Sequence, residues 1–309
     1  MKRLTCIVLA LVLLLTGCAS AKRSGAETVF AMDTVMDLQV WGKDAQKALG
    51  KMKEEITALE SVWSATKQDS LVTRLNMGED VALTQPQQEL LQQAEELSAR
   101  TRGLFDPKLG GYIRAWGFYD KQYKVPDEED LESVRPQWDL GGIVKGYAGD
   151  RLTEILDTFN IDRAILNLGG NIQTYGEKPD GEPWKIAIQH PDGGTLGTVS
   201  VRGTMAVVTS GDYQRYFEQD GKVYHHIIDP RSGYPADSGL TSVTVICKDG
   251  TLADALSTAF FVMGMEKAVD HWQANRDFGM VLLTKDGKLY ATEDVALTDC
   301  QYEVIPYEK

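Results

Sequence analysis

Four cysteines and four histidines in 309 residues are too few and too scattered to suggest a zinc site. The cysteines stand at 6, 18, 247 and 300, and no Cys/His cluster has zinc-ligand spacing. The apolar run Cys6–Leu15 is too short to span a bilayer. Basic residues are also in deficit, 32 Lys+Arg against 45 Asp+Glu for a net charge of −13. That balance argues against nucleic-acid binding, which needs basic surfaces for phosphate backbones. A small phosphate-bearing ligand stays compatible, because a few lysines or a metal ion can hold a pyrophosphate in an acidic protein. The Gly-x-Gly-x-x-Gly and Walker patterns are missing, as are internal repeats and low-complexity segments.

What is present begins at the N-terminus. Lys2-Arg3 precedes the apolar run, which closes with Leu15-Thr16-Gly17-Cys18. The pattern looks like a bacterial lipobox, with residues 1–18 as signal peptide and Cys18 as the lipidated first residue of the mature chain. An ordinary secretory signal cleaved near Ala19-Ser20-Ala21 is the alternative. Residues 19–28 are then a polar tether and 29–309 the working domain, held outside the cytoplasmic membrane by acyl chains. Cys247 and Cys300 have the choice of pairing or staying free. Cys247 sits in the strand-like run Thr241–Cys247, which favours a buried thiol.

The length calls for one large or two intimately packed domains. Val29–Trp41 alternates like a half-buried strand. Leu49, Met52, Ile56, Leu59 and Trp63 put one apolar stripe on a helix over Ala45–Trp63. A helix over Pro86–Thr101 follows Thr84, and others are predicted over Gly146–Phe159, Thr251–Met263 and Lys267–Asn275. Arg163–Leu168 reads as a buried strand, several strands follow to about Ile246, and Val281–Ala291 closes as a hairpin about Lys285-Asp286-Gly287. The expected class is α+β or mixed α/β, two interleaved lobes with mixed sheets.

Chemistry concentrates in short loop-like clusters. In Val223–Pro235, Pro230 and Gly233 force a turn after a strand and deliver His226, Asp229 and Arg231 to its end. A proton carrier and an anion clamp there can face one ligand, unless the segment is a plain surface turn. Phe105-Asp106-Pro107 offers a ring and a carboxylate after a helix. In Asp139–Tyr147 two glycines lead into a helix whose N-terminal amides and Lys145 suit an anion. Asn167-Leu-Gly-Gly-Asn171 lets a backbone or ligand approach closely, and Thr209-Ser-Gly-Asp-Tyr213 offers hydroxyls for a phosphate or a helix cap. Asp254 and Thr258, four apart, share a helix face as oxygen ligands for a hard cation such as Mg²⁺; the alternative is a helix-start charge and a backbone-bonded hydroxyl.

These segments, in this order from about Met32 to Met265, resemble the ApbE family of bacterial FAD:protein FMN transferases. The resemblance implies a T-fold-like architecture. It implies an enzyme that uses Mg²⁺ to cleave FAD, moves FMN onto a threonine of a partner flavoprotein, such as a subunit of a membrane redox complex, and releases AMP. It places metal ligands at Asp254, Thr258 and the Gly142 carbonyl. Flavin contacts fall on Met32, Leu104, Phe105, Asp106, Asp139, Lys145 and Ile227. Thr66 stands ahead of Asp69-Ser70 where many members carry an aromatic. Beside the resemblance, His226 is the natural base for a threonine hydroxyl, oriented by Asp229, while His225 faces the other side of the strand and should tolerate replacement. Two other activities fit the same residues: an FAD pyrophosphatase with water as acceptor, and a lipoprotein that stores flavin. Asp192-Gly-Gly-Thr-Leu-Gly differs from the family's Asp-Gly-x-Ser/Thr-Gly-Ala-Thr acceptor type, which argues against self-modification.

Overall fold

A computed structural model describes residues 24–307. Cys18 and the signal segment lie outside the described residues. β1 (Ser24–Ala31) and β2 (Thr34–Gly42) form a hairpin where the sequence suggested one strand. Met32 and Asp33 take φ of 52° and 58°, so the turn is a tight two-residue one without the usual Asn-Gly signal. β1 begins inside the segment expected to be tether.

α1 (Ala45–Trp63) buries the apolar stripe expected of it. α2 (Leu71–Asn76) is capped by the Ser70 hydroxyl, and α3 (Gln85–Arg100) starts on a Thr84/Gln87 capping box with proline in its first turn. Two short helices follow, α4 (Gly110–Ala115) and α5 (Glu128–Glu132), then α6 (Val144–Asp157). The strands β3 (Ile161–Leu168), β4 (Asn171–Tyr175), β5 (Trp184–Gln189), β6 (Thr195–Val201), β7 (Ala206–Gly211), β8 (Tyr216–Gln219), β9 (Lys222–His225) and β10 (Leu240–Cys247) run in succession. α7 (Gly250–Met263) and α8 (Met265–Asn275) precede β11 (Gly279–Thr284) and β12 (Leu289–Thr292), the expected hairpin. It does not close the chain: β13 (Ala296–Thr298) and β14 (Glu303–Ile305) come after it.

The class is α+β. Nine strands form one sheet in the order β1-β2-β3-β4-β7-β10-β11-β12-β14, mixed because β12 and β14 pair in parallel while the other pairs are antiparallel. Alternation along each strand sorts residues between two cores. Met280 and Leu282 of β11 pack with the helices, whereas Val281 and Leu283 pack with the small sheet β13-β6-β5 on the other face. The strands after the first helices thus carry two layers at once. A third cluster around Trp116, Phe118, Phe217 and Ile228 joins the α4 region to the β8–β9 hairpin. Cys247 and Cys300 are both free, and burial pushes the Cys247 thiol up to about 12.

Candidate active site

A cleft of about 890 Å³ opens where the β1–β2 turn, the loops around α4, the start of α6, the end of β7, the segment after β9 and α7 converge. Met32, Leu104, Phe105, Asp106, Asp139, Gly142, Lys145, His226, Ile227, Asp254 and Thr258 all line it. The sequence scattered these residues over more than two hundred positions, and the fold gathers them.

The inner end of the cleft is made by two helices in close contact. An added Cβ at Gly146 of α6 would lie 2.0 Å from the Gly250 carbonyl oxygen at the start of α7, so only glycine fits the crossing. Asp150, on the same side of α6, accepts from the amides of Gly250 (2.7 Å) and Thr251 (2.8 Å) and from the Thr251 hydroxyl (2.7 Å). Burial raises the Asp150 carboxyl to about 6 against those bonds. α7 is therefore fixed to α6 before its functional residues are reached. Asp249 caps α7, so Asp254 lies beyond the first turn and is not a helix-start charge. Its side chain is buried and accepts from the Gly146 amide at 2.9 Å. Burial raises its pKa; Lys145, the Gly146 amide and the Asn171 side chain pull the other way.

One turn on, the Thr258 hydroxyl is 3.3 Å from that of Ser210, which also bonds Ser257 at 2.8 Å. A Cβ at Gly142 would stand 3.6 Å from Thr258 Oγ1, so the Gly142 backbone borders the same point. A buried carboxylate and a hydroxyl one helical turn apart, with the Gly142 backbone beside them, supply oxygen donors of the kind hard cations take. Among the described residues no three His, Cys, Asp or Glu side chains cluster, so a metal here would rely on this single carboxylate and on its ligand's own oxygens. The donor set fits Mg²⁺.

Asp139 Oδ2 accepts from Tyr119 at 2.6 Å and Oδ1 from the Gly141 amide at 2.7 Å, locking the loop that enters α6. Burial and Asp139 together push the Tyr119 phenol up, so it stays a donor. Asp106 Oδ1 accepts from the Lys108 amide, and Phe105 is buried with Cε2 and Cδ2 of its ring nearest Gly142. Glu60 accepts from the Met32 amide at 2.8 Å and pins the left-handed turn against α1. Thr66 lines the cleft, its hydroxyl 3.1 Å from Ser64.

His226 Nδ1 lies 3.1 Å from the Arg215 carbonyl. A carbonyl only accepts, so Nδ1 carries the proton and Nε2 keeps its lone pair. Burial, then the Arg215 and other cations around it, push the imidazole down to about 3 and keep it neutral. Asp229 does not orient it. The Asp229 carboxylate is taken by Arg231, Oδ1 to Nε at 2.9 Å and Oδ2 to Nη2 at 2.6 Å, outside the cleft lining. Burial opposes its ionisation, but the guanidinium outweighs this and holds it below the usual carboxylate value. The reason is local: the Asp229–Tyr234 turn folds back through a 2.8 Å backbone bond and a bridge between Ile228 and Pro235, keeping both side chains out of the cleft lining. The expected clamp of His226, Asp229 and Arg231 around one ligand is therefore corrected to His226 alone. His225 is corrected too. It is buried, its Nε2 donates to the Ala236 carbonyl at 3.0 Å and its Nδ1 accepts from the Ile227 amide at 3.3 Å, so it is part of the frame.

The Thr209–Tyr213 motif is the end of β7 and the loop after it, with Thr209 bonded to Thr244 at 2.8 Å. Gly169 and Gly170 form the β3–β4 turn, closed by Asn167 accepting from the Gly170 amide. Arg215, Tyr119 and Glu60 line the cleft without having been singled out. Arg215 follows a recognisable motif by two residues, which was the available clue; Tyr119 and Glu60 carry no local signal.

An α+β frame holding a deep cleft, with an isolated buried carboxylate beside a lysine and a neutral imidazole, defines an enzyme acting on an extended anionic ligand. The chain belongs to the ApbE family, whose profile matches residues 32–282. An FAD:protein FMN transferase of Klebsiella pneumoniae is 32% identical over 81% of this chain and 87% of its own length. The crystal structure of the ApbE protein of Thermotoga maritima superposes with a TM-score of 0.81 at 31% identity, covering 87% of this chain and 97% of that one. The flavinyl transferase ApbE of Pseudomonas stutzeri, in its apo form, gives 0.75 at 29% identity over 90% and 95%.

Proposed function

We propose that this chain transfers FMN from FAD to a threonine hydroxyl of a partner flavoprotein, with Mg²⁺, releasing AMP. The observation that carries the reading is the buried Asp254 carboxylate beside Lys145 and the oxygens of Thr258 and Gly142, at the inner end of a cleft large enough for a dinucleotide. The named relatives support the transfer; the donor set supports the metal.

Phe105, Leu104, Met32 and Ile227 supply apolar contacts for an isoalloxazine ring. Lys145 faces the pyrophosphate and offsets its charge. Bound at Asp254, Thr258 and Gly142, Mg²⁺ would supply Lewis-acid stabilisation of the charge that develops on the phosphoryl oxygens. The acceptor hydroxyl attacks the flavin-side phosphorus. The bond from that phosphorus to the bridging oxygen breaks, and AMP leaves with the electron pair. His226 Nε2 takes the hydroxyl proton, and the Arg215 carbonyl holds the imidazole in that tautomer. The anionic ligand offsets Arg215 and Lys145, raising the basicity of His226 when it is needed.

The sequence Leu15-Thr-Gly-Cys18 supports a lipid anchor and an extracytoplasmic site of action. Incubating the protein with FAD, Mg²⁺ and a folded domain carrying Asp-Gly-x-Thr-Gly-Ala-Thr, then weighing the domain, tests the reading. A mass gain of one FMN is expected. Free FMN with an unaltered domain would make water the acceptor, and intact FAD would leave only storage.

A further inference from the structure

The free edge of the long sheet leads to the cleft mouth. β1 is its outermost strand, and the Met32–Asp33 turn at its end lines the cleft. A two-residue turn closes on a hydrogen-bonded pair, here Ala31–Thr34, so the alternate pairs Phe30–Val35, Thr28–Asp37 and Ala26–Gln39 are the non-bonded ones. The backbone N–H and C=O groups of Phe30, Thr28 and Ala26 therefore point away from β2. Among the described residues no strand lies on that side.

Proteins blunt such edges with proline, lysine or a bulge. β1 has no proline or lysine, and its register with β2 runs without a shift. The outward face of the β1–β2 hairpin also carries an apolar cross-strand pair, Phe30 at 73% exposure and Val35 at 53%. Val35 lines the cleft as well, so edge, apolar pair and cleft rim are continuous.

We propose that the acceptor protein docks by adding an extended segment to the free edge of β1, packed against Phe30, so that its hydroxyl-bearing residue arrives at the Met32–Asp33 turn. This rests on the transferase reading. The continuity of the edge with the rim selects the occupant, because a segment that brings a hydroxyl into the cleft uses both features. Strand addition gives affinity through main-chain bonds, and Phe30 adds an apolar anchor.

The test uses the full chain, FAD, Mg²⁺ and the same folded acceptor domain, with labelling followed by in-gel flavin fluorescence. Phe30→Asp should raise the KM for the acceptor about tenfold, the scale of a lost interface anchor. Thr28→Pro removes one outward amide without breaking a β1–β2 bond and should act in the same direction. Thr28→Val, which keeps the amide, should retain the wild-type KM. So should Val304→Asp, at the exposed opposite edge of the sheet. The affinity for FAD, read by flavin fluorescence quenching, should be unchanged throughout. An acceptor KM unaltered in both Phe30→Asp and Thr28→Pro overturns the docking surface, as does a stable dimer through β1 that persists with the acceptor present. A wild-type chain that binds FAD yet labels no acceptor overturns the transferase reading, and this proposal with it.

Discussion

Gly146→Ala puts one methyl group into the crossing of α6 and α7. Its Cβ would sit 2.0 Å from the Gly250 oxygen, 2.5 Å from the Gly250 carbonyl carbon and 2.9 Å from Asp254 Cβ. Two of these are backbone atoms, and Asp150 holds them through the Gly250 and Thr251 amides, so no side chain can swing aside. The helices must part by on the order of 1 Å to restore ordinary contact. Overpacking of this kind costs about 1–3 kcal/mol. In a chain of this size that lowers the melting temperature by about 2 °C for each kcal/mol. The larger effect falls on activity, because α7 carries Asp254 and Thr258 and the Gly146 amide itself holds Asp254. A displacement of about 1 Å at a positioned group costs on the order of 10²-fold in rate. Melting curves and acceptor labelling at saturating FAD and Mg²⁺ measure both. Gly50→Ala, in α1 with nothing within 4 Å, is the control and should be neutral or stabilising. Wild-type melting and turnover in Gly146→Ala would refute the idea that this crossing sets the site.

Asp254→Ala should abolish turnover while FAD still binds more weakly; undiminished labelling in Mg²⁺ would remove Asp254 from the metal site. His226→Ala should slow transfer by roughly 10²–10⁴-fold with FAD affinity little changed, as measured by stopped-flow labelling and fluorescence titration. His225 is lowered by burial to about 4 in the fold, against 6.5 when unfolded. The unfolded chain then binds the proton first, so stability is complete above about pH 6.5 and falls by roughly 3 kcal/mol as pH drops toward 4. Denaturant melts across that range should show the slope reduced in His225→Gln, which should also be less stable at neutral pH. Cys18→Ala should lose incorporation of labelled palmitate; equal labelling would place the lipid elsewhere.

Helices with a strong 3.6-residue stripe were legible: α1 has the bounds its stripe predicted, and α3 was marked by Thr84 and Pro86. The β1–β2 hairpin was not, because its turn is Met-Asp: Asp33 tolerates positive φ, but Met32 is held there by the ladder and by Glu60 rather than by its own preference. The short helices α2, α4 and α5 hold too few residues for a periodicity. In the site, residues carried by a regular element were easiest to place together: Asp254 and Thr258, four apart on α7, and His226, just past β9, all line the one cleft. Asp229 was misread because sequence proximity to His226 says nothing about a turn that folds back on itself. His225 was placed on the correct face, but that face proved to be buried core.

With a lipid on Cys18, the hairpin that forms one wall of the cleft would also set a working height. β1 runs about 24 Å from Ser24 to Ala31 at the usual strand rise. If Cys18 carries the lipid, the few residues between it and Ser24 add at most about 20 Å even at full extension. The reaction would then take place within about 45 Å of the anchoring cysteine. Acceptors held in the same membrane with their threonine close to the surface fall inside that radius. Freely diffusing ones would gain nothing from the anchor, and lengthening the tether by a flexible insert should widen the choice of acceptors.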